Sequence, residues 1–164
     1  VSWLRRNALA LGVLVVLLGA SAAIVGGVPW RAYHGASDAI VVDGTATLAG
    51  ATFSDGRLEP LPGDSDVEVA PGAEGLVFVV DVDPGDTPPL CLPPLLREQA
   101  GAGREWSVRP TYWSDPDRTT GCRSDVDAPY TIATPFVVPA GTGPVFVDLR
   151  VAEEGSFLRF AFDR

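Results

Sequence analysis

The chain has 164 residues, 12 arginines against 21 acids, no lysine and a net charge of -9. That balance repels phosphate backbones and anionic headgroups, which argues against a nucleic-acid partner and against electrostatic docking on lipid. Two cysteines and a single histidine supply too few ligands for a closed zinc site.

Arginine to the exclusion of lysine, with much Ala, Gly, Val and Pro, is the composition of a GC-rich bacterial genome, and Val1 is what a GTG start codon gives when translated literally. Residues 1-7 carry Arg5 and Arg6. Ala8 to Val28 then runs for 21 residues without charge or proline. As a helix it would reach about 31 Å, the thickness of a bilayer's hydrocarbon. The paired arginines before it, with none following until Arg31, predict a cytoplasmic N-terminus and an exported remainder. Trp3 and Trp30 fall where indole rings favour the headgroup layer, and Pro29 stops the helix. We read 8-28 as an uncleaved signal anchor that contacts membrane lipid. The alternative is a secretory signal peptide with its h-region at Leu9-Leu18, cut after Ala20-Ser21-Ala22, at about 22/23.

About 136 residues follow, enough for one compact domain. All 21 acids and 10 of the 12 arginines lie there, leaving that part at -11. Residues 29-43 read as a stalk, polar and without period over Arg31-Asp38, and His34 within it has no visible partner for a metal or for catalysis. Residues 44-164 read as the exported domain. Ile40-Val42 and Thr45-Phe53 give the first one or two strands, closed by a turn at Ser54-Asp55-Gly56. Leu58-Pro71 is broken by three prolines and reads mostly as loop, with Val67 and Val69 a short strand at most. Gly75-Asp83 is the clearest strand. Leu76, Phe78, Val80 and Val82 share one face, and the other turns polar only at Asp81 and Asp83, which predicts a central, covered strand.

Pro84-Pro94 is a proline-rich connection carrying Cys91. Leu95-Gln99 and Glu105-Val108 form a pair around Gly101-Ala102-Gly103, and Ser114-Asp127 is an acidic loop carrying Cys122. Tyr130-Val138, Val145-Val151 and Phe157-Asp163 are the last strands, with a hairpin turn at 153-155. Seven or eight short strands without helical period predict an all-β antiparallel sandwich preceded by one transmembrane helix.

Two cysteines on the exported side are most simply a disulfide, Cys91 to Cys122. It would close about thirty residues and add roughly 3-4 kcal/mol on the loop-entropy view. Trp106, Tyr112 and Trp113 cluster near it, a patch for a ligand or partner or else packing at the sandwich end. Asp81, Asp83, Asp115 and Asp117 are the carboxylates with any claim on a metal. However, Asp81-Val82-Asp83-Pro84-Gly85-Asp86 places its glycine one position early for a calcium loop and lacks the closing glutamate. The histidine in the stalk leaves no Ser-His-Asp set, and no glycine-rich loop opens a helix, so neither catalytic residues nor a cofactor are expected.

The anchor, the strand Leu76-Val82 after a Pro-Gly turn, the Phe136-Val137-Val138-Pro139-Ala140 segment and the closing pair Val145-Val151 and Phe157-Phe162 carry a resemblance. The chain resembles the immunoglobulin-like, telokin-type domains of membrane-anchored bacterial surface proteins and lipoproteins, over about residues 45-163. The acidic insertion with Cys122 departs from the simplest form of that family. The resemblance implies an immunoglobulin-like sandwich outside the cytoplasm. Because the family shares no known activity, it implies a binding or scaffolding role with a protein partner at the outer membrane face. The second expectation is a secreted protein that holds a metal or small ligand in its acidic loops.

Overall fold

The structure, a computed structural model, describes residues 7, 13-21, 38-63, 65-86, 88-110, 118-152 and 154-164. Contacts divide the chain into Val1-Gly35 and Ala36-Arg164. In the first unit residues 13-21 are helical and exposed, and most of the expected anchor, 8-28, lies outside the described residues. Among the described residues no helix is long and apolar enough to cross a membrane.

The described residues of the second unit form ten strands in two packed sheets. They are β1 (Asp38–Val41), β2 (Thr45–Leu48), β3 (Ala51–Pro60), β4 (Ala73–Asp83), β5 (Leu95–Glu98), β6 (Glu105–Ser107), β7 (Arg118–Thr119), β8 (Tyr130–Pro139), β9 (Val145–Arg150) and β10 (Ser156–Phe162). One sheet has the order β1-β10-β9-β5-β6 and the other β2-β3-β4-β8-β7. The expected all-β sandwich is present. β1 lies inside the interval 29-43 read as stalk, so the packed unit extends N-terminal of residue 44.

Alternation explains the core. Leu76, Phe78, Val80 and Val82 of β4 meet Val147 and Leu149 of β9, Leu158 and Phe160 of β10, and Phe53, Ile132 and Phe136 from β3 and β8 in one buried cluster. The Phe78 and Phe160 rings lie 5.0 Å apart across the two sheets. The far face of β4 is also covered: Val77 and Val79 are buried with Ala133, and Leu61 packs against them. The central strand expected from its sequence is therefore covered on both sides.

Ser54-Asp55-Gly56 does not form the expected turn. The turn comes earlier, at Ala49-Gly50, where both residues have positive φ, 53° and 81°, as the tight hairpin between β2 and β3 requires. Asp55 and Gly56 instead make a bulge within β3, because Ser54 pairs with Asp81 and Arg57 with Val79. Gly56 is required there, since a Cβ would run into the Phe160 ring. Val67 and Val69 form no strand. The expected acidic loop contains the short β7, which runs parallel to β8.

Cys91 and Cys122 are bridged, with Cα atoms 5.2 Å apart. Cys91 pairs with Val151 at the end of β9, and Cys122 follows β7, so the bridge fastens one sheet to the other. Both half-cystines pack against the core.

Candidate functional site

Register brings a row of polar residues onto the outer face of the β2-β3-β4-β8-β7 sheet. Thr45 pairs with Ser54, Ser54 with Asp81, Asp81 with Thr131 and Thr131 with Arg118, so one row crosses all five strands. A second row, Thr47-Thr52-Asp83, lies beside it. The two rows share a face because side chains two residues apart on a strand point the same way.

An open groove of about 420 Å³ sits over these rows, lined by Ser54, Asp81, Val82, Asp83, Pro129, Tyr130 and Thr131. The Thr131 hydroxyl donates to Asp81 Oδ1 at 2.7 Å, and Arg57 Nη1 lies 3.8 Å from Asp81 Oδ2. Asp83 Oδ1 accepts the Gly85 N–H at 3.2 Å. Tyr130 also lines the groove, but it packs in the core; its hydroxyl accepts the Arg123 N–H at 3.1 Å, and burial raises its pKa. Arg123 also pairs with Asp125 and holds that carboxyl below its ordinary value.

No protein-family model matches the chain, and no curated protein and no solved structure shows significant similarity to it. The functional reading therefore rests on the geometry of the chain itself.

Of the carboxylates singled out for a metal, Asp81 and Asp83 line the groove, while Asp115 and Asp117 lie outside the described residues. Among the described residues no three His, Cys, Asp or Glu side chains converge on a metal position. Trp106 of the aromatic patch is half-buried, packs against the core and carries the Arg104 guanidinium 5.5 Å from its ring centre. Tyr112, Trp113 and His34 lie outside the described residues.

Sequence reasoning missed Ser54, Tyr130 and Thr131. The signal that could have found them is the outward phase of each strand: Thr131 and Asp81 fall on outward positions of strands expected to be central. Their pairing across 50 residues of chain needs the register, which alternation alone does not supply.

The opposite sheet presents a different outer face. Asp148 of β9 is fully buried although it points away from the core. Arg159 of β10 clasps it with two hydrogen bonds, 2.7 and 2.8 Å, and Arg97 of β5 approaches to 3.6 Å. The clasp raises the Arg159 pKa. Arg97 also pairs with Glu105. The Arg159 guanidinium lies 4.8 Å from the Phe146 ring and 5.1 Å from the Phe157 ring. These groups satisfy one another, so the face works as a brace.

Proposed function

We propose that this chain is a membrane-tethered, extracytoplasmic binding module: residues 8-28 span the lipid, and an immunoglobulin-like sandwich projects outside the cell. The observation that carries the reading is the helix at 13-21, where Val13 to Leu18 are each at least half exposed. Six consecutive exposed aliphatic side chains call for an apolar environment, and the charge-free sequence on both sides extends that run to spanning length. The bridge between Cys91 and Cys122 supports an oxidising compartment.

Connectivity supports the immunoglobulin-like reading. The opening strand β1 lies parallel to the closing strand β10 at a sheet edge. The chain changes sheets between β1 and β2, between β4 and β5, between β6 and β7, and between β8 and β9, and such repeated crossing suits a Greek-key sandwich. The role proposed is binding: the groove presents carboxylates and hydroxyls on an open sheet face.

The test is fractionation of cells expressing the full chain. Retention in membranes washed with carbonate, no thiol alkylated without reductant, and digestion of the C-terminus by protease added to spheroplasts are the expected results. Release by carbonate, with a mature N-terminus near Ala23, would replace the tether by the secreted form. Two free thiols in a cytosolic fraction would end both readings.

A further inference from the structure

We propose that β1 is a pairing edge through which two copies of this chain join, β1 against β1 in antiparallel register about a two-fold axis at Ile40. The inference goes beyond the binding-module reading and rests on the packed unit alone, not on the tether.

The backbone bonds of β1 decide how it can pair. β1 ends its sheet, and among the described residues no strand lies on its far side. Toward β10, the Asp38 N–H donates to the Gly155 carbonyl at 3.5 Å and the Val42 N–H to the Arg159 carbonyl at 2.9 Å. In a parallel pair alternate residues bond the same neighbour, so Asp38, Ile40 and Val42 face β10. The N–H and C=O of Ala39 and Val41 therefore point to the open edge.

The side chains add an apolar surface to that edge. Ile40 is 37% exposed and Val41 67%. Outside the helix at 13-21, the described residues expose only two other large aliphatic side chains, Val69 and Leu90. No charge or proline falls within Ala39-Val42, so the strand lacks the devices by which edges refuse a partner. The other edge strands differ. β7 is two residues long, β6 carries Glu105 paired with Arg97, and β2 presents Thr45 and Thr47 to water.

A second copy fits this edge better than a foreign strand. With Ile40 opposite Ile40, Ala39 of each chain meets Val41 of the other, and their outward N–H and C=O groups exchange bonds in pairs. Asp38 falls opposite Val42, so within the strand no acid meets an acid. The core gains as well. Register already joins Leu149, Leu158 and Ile40 in one inner row, and the two-fold continues that row through Ile40, Leu158 and Leu149 of the second copy. Such an interface is isologous and closes at two chains. An unrelated strand would have to supply the phase and the aliphatic run that β1 supplies to itself. Strands this short bury less than the about 1,200 Å² of a stable interface, so the pair is reversible and covalent trapping is its readout.

The experiment is disulfide trapping of the full chain in detergent, using Ile40→Cys. A residue opposite its own copy in a pair without mutual hydrogen bonds has Cα atoms about 4.5 Å apart, within the range of about 4.4-6.8 Å that a disulfide bridges. The expected result is a covalent dimer under mild oxidation, with at least tenfold less from Thr47→Cys on the β2 edge. Val41→Pro added to Ile40→Cys should cut trapping at least tenfold, because it removes an N–H that only the second copy would use, and an edge strand accepts proline there. Unaltered thermal melting of Val41→Pro separates lost pairing from lost folding, and Val41→Lys, which keeps the N–H but places a charge on the edge, should also reduce trapping. No covalent dimer, equal trapping through Thr47→Cys, or trapping that survives both changes at Val41 would overturn the proposal; the last result would assign the association to the helix. Trapping of a different protein in place of a second copy, in intact membranes, would overturn it too. Release of the chain by carbonate would end the tether and leave the dimer standing, whereas a tethered chain that never traps would do the reverse.

Discussion

The two outer faces of the sandwich treat charge in opposite ways. On the β1-β10-β9-β5-β6 sheet, Asp148 is sealed beneath Arg159 and Arg97, and Phe146 and Phe157 flank the guanidinium of Arg159. On the β2-β3-β4-β8-β7 sheet, Asp81 and Asp83 stand in an open groove among hydroxyls. Removing the partner of a buried charge leaves a charge that water cannot reach, whereas removing the partner of an exposed one changes little. The contrast teaches that the first face holds the fold together and the second is available to a ligand.

The sharpest way to break that contrast is Arg159→Ala. It leaves the buried Asp148 carboxylate without the guanidinium that clasps it and should cost about 3-5 kcal/mol in urea unfolding. A cost under 1 kcal/mol would put both faces in the same class. The bridge that fastens the faces together comes next. Cys91→Ser with Cys122→Ser should lose about 2-4 kcal/mol, read as a lower melting temperature that added reductant does not change. Gly56→Ala follows, because the added methyl meets the Phe160 ring within the core, and overpacking of this kind costs about 1-3 kcal/mol. Phe160→Leu in the same chain should return part of that loss.

A smaller effect is expected in acid. Glu74 is held below its ordinary value of 4.5, first by the hydrogen bond from Arg164, and Glu98 is held down by Arg104. A carboxyl with a depressed folded value adds stability above its unfolded value and loses it as pH falls through the folded one. Unfolding free energy should therefore stay level from neutral pH down to about 4.5 and decline below it, less steeply in Glu74→Gln. Smallest of all is Asp81→Asn, expected within about 0.5 kcal/mol of the parent. A large loss there would make the groove a structural ladder like its counterpart.

Strand phase was legible where one face alternates cleanly. Gly75-Asp83 announced both its strand and its covered position, and Val145-Val151 with Phe157-Asp163 announced the closing hairpin. The cysteine pair was legible because the chain holds two cysteines, both in the part expected to be exported, and such a pair is most simply a bridge. Ser54-Asp55-Gly56 was misread because a bulge and a turn use the same residues, and only the pairing with β4 tells them apart. Asp148 was hidden for a related reason. Alternation marks it as solvent-facing, while the arginine that buries it comes from the neighbouring strand, 11 residues on. Ser54, Asp81 and Thr131 became a site only through registers that span the chain.

β1 has a mechanical consequence. It runs parallel to β10 through four successive pairs, Asp38 with Ser156 to Val41 with Arg159. A pull applied ahead of Asp38 and resisted at the C-terminus draws the two strands past each other. The hydrogen bonds between them then bear the load together instead of opening one after another. A chain held at its start and tugged at its end would meet that tension with its terminal strands locked in shear.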